Sequence, residues 1–128
     1  MSAERELEPV TWQVTREQIR AYADASGDAN PIHLDDEVAR AAGLPGVIAH
    51  GMLGMAQLAN FVVGWAGDHR RLRTLRCRFA GMIQPGDAIT FTGQVTGVDG
   101  GIARLALDAH NQRGERVLSK AMAEVAAA

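Results

Sequence analysis

The sequence predicts an α+β domain in which a curved antiparallel sheet wraps around one central apolar helix. Three observations support this: helical spacing of apolar residues in the first half of the chain, alternation after residue 72, and a charge-free segment at 51–66 between them. A helix that is apolar on nearly every face is buried within its protein. This segment is also shorter than the roughly 20 residues that span a bilayer, which argues against a membrane helix.

Shorter patterns predict the elements before the central helix. β-branched and aromatic residues alternate over 10–14, which is typical of a strand. Thr15 and Gln18 form a capping-box pattern that begins a helix over 16–25. A second short helix is predicted over about 35–43, where glycine ends it and a Pro-Gly turn follows.

Alternating residues predict four strands after the central helix, arranged as a meander. The hairpin signal Asp-Gly-Gly separates two of them. In the predicted strand at 73–79, Cys77 faces inward, which favours a buried structural thiol over a nucleophile. The predicted strands cover 73–79, 88–98, 102–110 and 116–125.

The composition fits one domain that covers residues 1–128. Of these 128 residues 47% are apolar, which is typical of a globular chain with its own core. The single cysteine excludes an internal disulfide and fits a reducing compartment. A net charge of -2 argues against nucleic acid or an anionic membrane as partner, and the first residues contain no secretory signal. We therefore expect a cytoplasmic protein with a flexible N-terminus over 1–9.

The densest group of chemically active side chains lies at 26–35. Asp28 and His33 are too far apart in register for one helical face, and Pro31 between them would fold the loop so that they converge. A carboxylate beside an imidazole activates water at neutral pH. The alternative is that each residue is a loop cap or an ordinary surface side chain.

A second segment, 46–53, places His50 and Gly51 at the start of the central helix. Free backbone N–H groups at a helix N-terminus suit a developing oxyanion, and glycine lets a substrate carbonyl approach closely. His50 is expected to organise the loop rather than react.

A metal site is the competing interpretation of His33, Asp35, Asp36 and His50. Their spacing matches neither a zinc-protease helix nor a Cys/His zinc pattern. Glycine motifs for phosphates or dinucleotides are also missing from the sequence. The sequence therefore predicts neither a metal nor an organic cofactor.

Basic residues cluster after the central helix. Guanidinium groups match phosphate geometry, so the cluster is a candidate anchor for a phosphate-bearing ligand, and a solvated strand edge is the alternative. The candidates are Arg70, Arg71, Arg73, Arg76 and Arg78.

Together, the two segments resemble the MaoC-like (R)-specific enoyl-CoA hydratases and (3R)-hydroxyacyl-thioester dehydratases. GDANPIH at 27–33 is similar to the signature of that family, and IAHGML at 48–53 is similar to the segment that follows it. The resemblance implies a hot-dog fold and a dimer whose two sheets join edge to edge. It also implies reversible syn-addition of water to trans-2-enoyl thioesters, which gives (3R)-hydroxyacyl thioesters without a cofactor.

By position, the resemblance implies a role for each site residue. Asp28 and His33 would activate the water, the Gly51 N–H would bind the thioester oxygen, and Asn30 would order the catalytic loop, with His50 in support. The substrate would be an acyl-CoA or acyl-carrier-protein thioester, and the protein a homodimer or a heterodimer. Some relatives carry a serine where this chain has Ala59, so one thioester contact would be absent.

Apolar residues of the central helix are candidates for an acyl tunnel, with a plain core role as the alternative. Methionine suits a tunnel that adapts to chain length. The candidates are Met52, Met55, Leu58 and Phe61.

Two alternative functions remain. A hot-dog thioesterase typically uses a carboxylate on the central helix, and 51–66 contains none. The chain could instead be the catalytic or stabilising subunit of a heteromeric acyl dehydratase. Its intact motif argues against a purely stabilising role.

Overall fold

A computed structural model of the chain describes residues 6–127 and shows a five-stranded antiparallel sheet curved around one long helix. The helices are α1 (Arg16–Ser26), α2 (Asp36–Ala41) and α3 (Gly51–Ala66), and the strands are β1 (Glu6–Gln13), β2 (Leu72–Phe79), β3 (Ala88–Asp99), β4 (Ile102–His110) and β5 (Arg116–Ala126). Single 3₁₀ turns cover Pro31–His33 and His69–Arg71. This is the predicted hot-dog architecture, with α3 as its central helix.

α3 lies in the core as its apolar sequence predicts. Leu58 and Val62 are completely buried, and the ring of Phe61 stacks on Phe91 of β3 with 5.9 Å between centroids. Burial of each such side chain stabilises the fold by about 1.5–3 kcal/mol. Within residues 6–127, no helix combines the length and hydrophobicity needed to cross a membrane.

The strand order is β1-β3-β4-β5-β2, so the predicted meander of four strands is wrong for β2. β3, β4 and β5 form a meander, whereas β2 pairs with β5 at the far edge. The physical reason is the link at 80–87, which runs past α3 to the β1 side of the sheet instead of turning back to pair β3 with β2. Its Ile83 side chain lies 3.1 Å from where a Cβ on Gly54 would stand, and its Gly86 N–H donates to Val14 O after β1.

β1 begins earlier than the alternation predicts. Leu7 is 3% exposed and joins the core, and β1 pairs with β3 from its first residue. Pro9 has no N–H to donate, and the register shifts between Leu7 and Val10, so a bulge interrupts the alternation. Residues 6–9, which we expected in a flexible N-terminus, are thus part of this strand, and 1–5 lie outside the described residues.

Arg71 joins the C-terminal end of α3 to the last strand. Its Nε–H donates to Ala126 O at 2.8 Å, and a terminal N–H donates to Ala66 O at 2.5 Å. The last carbonyls of a helix have no intrahelical donor, and a cation near them interacts favourably with the negative end of the helix dipole. Arg71 therefore stabilises the end of α3.

Replacing Arg71 with Met should lower the free energy of unfolding by about 2 kcal/mol, because two buried carbonyls lose a charged donor. Urea unfolding measures this loss. Arg73→Met is the matched control, since Arg73 is exposed and its side chain has no hydrogen-bond partner among residues 6–127. Equal losses in the two variants would contradict the assignment.

Candidate active site

The loop after α1 and the loop before α3 meet at a pocket of about 350 Å³. The side chains of Asp28, His33 and His50 each place one nitrogen or oxygen within 4.8 Å of the others. The structure therefore brings the two chemically active sequence segments together. The pocket is lined by Tyr22, Ser26, Asp28, His33, His50, Gly51, Met52 and Phe79.

The loop that carries Asp28 and His33 is shaped by its own side chains. Gly27 ends α1 in the left-handed region, with φ of 78°. Asp28 Oδ1 accepts the Asn30 N–H at 3.3 Å, and Asn30 Oδ1 accepts the Ile32 N–H at 3.2 Å. These bonds start the 3₁₀ turn that directs His33 back towards Asp28, so the convergence expected from Pro31 occurs.

His33 is held in a defined tautomer. Its Nδ1 lies 2.7 Å from Ile48 O, and because a carbonyl only accepts, Nδ1 carries the hydrogen. The lone pair is therefore on Nε2. This half-buried ring can take a proton at Nε2 while Nδ1 stays anchored to the other loop.

Gly51 supplies a free donor at the same pocket. It is the first residue of α3, and His50 before it makes no side-chain cap bond. Within residues 6–127 the Gly51 N–H has no hydrogen-bond partner, as is usual for the first turn of a helix. A Cβ at this position would lie 3.0 Å from the ring of Phe79, so only glycine fits without displacing that ring.

The geometry favours acid–base chemistry over metal binding. Asp35 accepts the N–H groups that begin α2 and is thus committed to capping, so the four-residue set considered from sequence does not assemble. Asp28, His33 and His50 do assemble, but the two imidazoles stack with centroids 3.8 Å apart and planes 24° apart. Lone pairs of nearly parallel rings do not point at one ion, because a nitrogen ligand binds in its ring plane.

Asp36 fastens the loop that leads to His50. Its Oδ1 accepts the Val47 N–H at 2.9 Å, and its Oδ2 pairs with Arg16 at 2.9 Å. The Val47 hydrogen bond, followed by Arg16, holds the pKa of Asp36 below its ordinary value, against an opposing effect of desolvation. α1, α2 and the loop are thereby joined at one carboxylate.

The lowered pKa of Asp36 predicts an acid-dependent contribution to stability. The contribution is present above the ordinary carboxyl pKa and is lost as pH falls through the lower folded-state value. Between about pH 6 and pH 3, the wild-type urea midpoint should therefore fall further than that of Asp36→Asn. Asp24→Asn, an exposed change on α1, should follow the wild type; equal falls in wild type and Asp36→Asn would contradict the role of Asp36.

The acyl-tunnel candidates occupy different surroundings. Met52 is 54% exposed and lines the pocket, whereas Leu58 is completely buried in the core. Met55 is half-buried and lies outside the described pocket lining. Phe61 borders a separate cavity of about 610 Å³ between β1 and α3, lined also by Trp12 and other residues. That cavity is larger but contains neither Asp28 nor His33, so we assign the chemistry to the smaller pocket.

The five arginine candidates also have different surroundings in the structure. Arg71 is bound to the two carbonyls described above, and Arg70 pairs with Asp68 at 2.9 Å, which raises the Arg70 pKa. Arg73, Arg76 and Arg78 are exposed along β2. Their side chains have no hydrogen-bond or ion-pair partner within residues 6–127. Only these three remain free to meet a ligand.

Three pocket residues were not identified as site residues from the sequence. Tyr22 and Ser26 lie one helical turn apart on α1, and the spacing would have indicated that both face the following loop. Ser26 Oγ accepts the Asp28 N–H at 3.2 Å. Phe79, 56% exposed at the end of β2, has no local sequence signal, because its contact with Gly51 depends on the strand order.

Comparisons with known proteins identify the family of the chain. The family described as "MaoC like domain" matches residues 2–112. The β subunit of fatty acid synthase from Saccharomyces cerevisiae is 36% identical over 93 residues, which cover 71% of this chain and 4% of that protein. The chain thus spans a small part of such relatives.

Solved structures are similar over the whole chain. A structure described as a MaoC-like dehydratase has a TM-score of 0.93 and 32% identity, covering 100% of this chain and 41% of the other. The R-hydratase PhaJ1 from Pseudomonas aeruginosa has a TM-score of 0.88 and 25% identity, covering 99% of this chain and 82% of the other.

Proposed function

The chain belongs to the MaoC-like dehydratase family, and we propose that it catalyses the reversible addition of water to trans-2-enoyl thioesters to form (3R)-hydroxyacyl thioesters. One observation carries the proposal: Asp28, His33 and the free Gly51 N–H line a single pocket. The named hydratase and dehydratase relatives support the class of reaction.

In the hydration direction, Asp28 and His33 hold a water molecule between them. His33 Nε2 accepts a proton from the water as its oxygen attacks C3 of the enoyl group. The Ile48 carbonyl keeps the opposite ring nitrogen protonated and so keeps Nε2 available. The Asp28 carboxylate accepts a hydrogen bond from the water and orients it.

The electron pair of the double bond moves towards the thioester oxygen, which gains enolate character. The Gly51 N–H donates to that oxygen, with the positive end of the α3 dipole behind it. The proton that His33 Nε2 took from the water is then transferred to C2, so one water is added in total and His33 returns to its starting state. Dehydration is the reverse: His33 removes the C2 proton and passes it to the departing hydroxyl, which leaves as water beside Asp28.

The substrate carrier is the phosphopantetheine arm of coenzyme A or of an acyl carrier protein. The unpaired cations on β2, the strand that ends at the pocket residue Phe79, are Arg73, Arg76 and Arg78. Their guanidinium groups suit the phosphate of the phosphopantetheine arm. β2 is an edge strand, so a second copy can join it edge to edge and form a dimer. The reaction needs neither a metal nor an organic cofactor.

Asp28→Asn and His33→Ala should each lower kcat for hydration of trans-2-enoyl-CoA by about 10²–10⁴-fold, because each removes an acid–base group. Loss of enoyl absorbance measures the rate, and a thiol reagent followed in parallel detects thioester cleavage. His69→Ala is the control, since His69 is exposed at the other end of α3. Unchanged rates in the first two variants, or release of thiol by the wild type, would contradict the proposal.

A further inference from the structure

His50 contacts the His33 ring and the Asp28 main chain at the wall of the pocket, and its side chain is almost fully buried. It is 3% exposed, and its Nε2 lies 2.9 Å from the backbone oxygen of Asp28. Its ring stacks on His33, and its own carbonyl accepts the Leu53 N–H that begins the α3 ladder. Gly51 follows it directly in the chain, so one residue joins the Asp28 main chain, the His33 ring and the Gly51 N–H.

The hydrogen bond of the His50 side chain to Asp28 O defines the tautomer of the ring. Because the Asp28 carbonyl only accepts, Nε2 carries the hydrogen. Nδ1 is buried and has no partner within residues 6–127. In this tautomer the atom left unpaired at Nδ1 is an acceptor and not an N–H donor. Nothing in this arrangement lets His50 exchange a proton with a substrate.

Two aromatic rings pack against the His50 ring. His33 stacks on the ring at 3.8 Å between centroids, and Tyr22 from α1 packs against it at 4.8 Å with planes 59° apart. With Asp28, these are the titratable groups that face His50 in the pocket. Simple helix capping does not explain the residue, because His50 makes no side-chain cap bond to α3.

We propose that His50 is a positioning residue, which holds the Asp28 main chain through its Nε2–H and the His33 ring through stacking. The proposal rests on the proposed function. His33 also bonds to Ile48 O, and Asp28 bonds to Ser26 and Asn30 within its own loop. The bond from His50 is the one that ties the Asp28 main chain to the residue before Gly51, so its loss should displace Asp28 relative to the Gly51 N–H. Displacement of a reacting group by about 1 Å costs on the order of 10²-fold in rate.

Two variants separate the two contacts. His50→Phe keeps a flat ring against His33 but removes the donor to Asp28, and His50→Gln keeps an N–H donor but removes the ring. Each should lower kcat by about 10–100-fold with little change in KM, because the buried side chain of His50 presents almost no surface to a substrate. Arg71→Met is the control for lost stability: it weakens the far end of α3 and should keep the wild-type kcat per folded enzyme.

Nitrogen-15 NMR of the histidine rings gives a readout that a merely structural role would not change. In the wild type, His50 should show the Nε2–H tautomer and His33 the Nδ1–H tautomer. In His50→Gln, His33 should lose its single tautomer, because the ring that holds it against the Ile48 carbonyl is gone. An Nδ1–H tautomer for His50, or full kcat in both folded variants, would overturn the proposal.

The same experiments distinguish failure of this inference from failure of the proposed function. If the wild type hydrates no enoyl thioester, the proposed function fails, and the NMR result alone decides the role of His50. A mixture of His33 tautomers in His50→Gln then supports positioning. An unchanged His33 spectrum overturns it.

Discussion

Burial of α3 against the concave face of the sheet is the constraint on which the rest of the structure depends. Leu58 and Val62 are removed from solvent on that face, and Arg71 satisfies carbonyls at the C-terminal end of the helix. The buried residues of the helix fix its place on the sheet, and Gly51 is the first residue of that helix. The free N–H at the pocket is therefore held by the hydrophobic core.

The loop that carries Asp28 and His33 is joined to the loop before α3 by hydrogen bonds. Each loop supplies one side-chain donor to the other, since His33 Nδ1–H donates to Ile48 O and His50 Nε2–H donates to Asp28 O. A backbone bond from Ile48 N–H to Ile32 O adds to them. The stacking of the two rings fills the space between these bonds. The pocket built in this way brings Asp28, His33 and the Gly51 N–H together, which is the arrangement that the proposed reaction needs for proton transfer around an enolate.

Local sequence patterns predicted the local elements, and the non-local contacts were beyond them. The charge-free segment predicted α3 at Gly51–Ala66, and the hairpin signal placed β4 at Ile102–His110. Pairing of β2 with β5 depends on the path of a link past α3, which has no periodicity to detect. Two other contacts could be seen only in the structure for the same reason. Phe79 contacts Gly51, and Arg71, rather than another arginine of the cluster, binds the buried carbonyls.

The most direct test of the account is the stereochemistry of hydration in deuterated water. Asp28 and His33 lie at one pocket, so the hydroxyl at C3 and the deuteron at C2 should be delivered to the same face of the double bond. Proton NMR of the product should therefore show one diastereomer, with syn addition and the (3R) configuration. Anti addition, or a mixture of diastereomers at C2, would contradict a single acid–base cluster acting from one side.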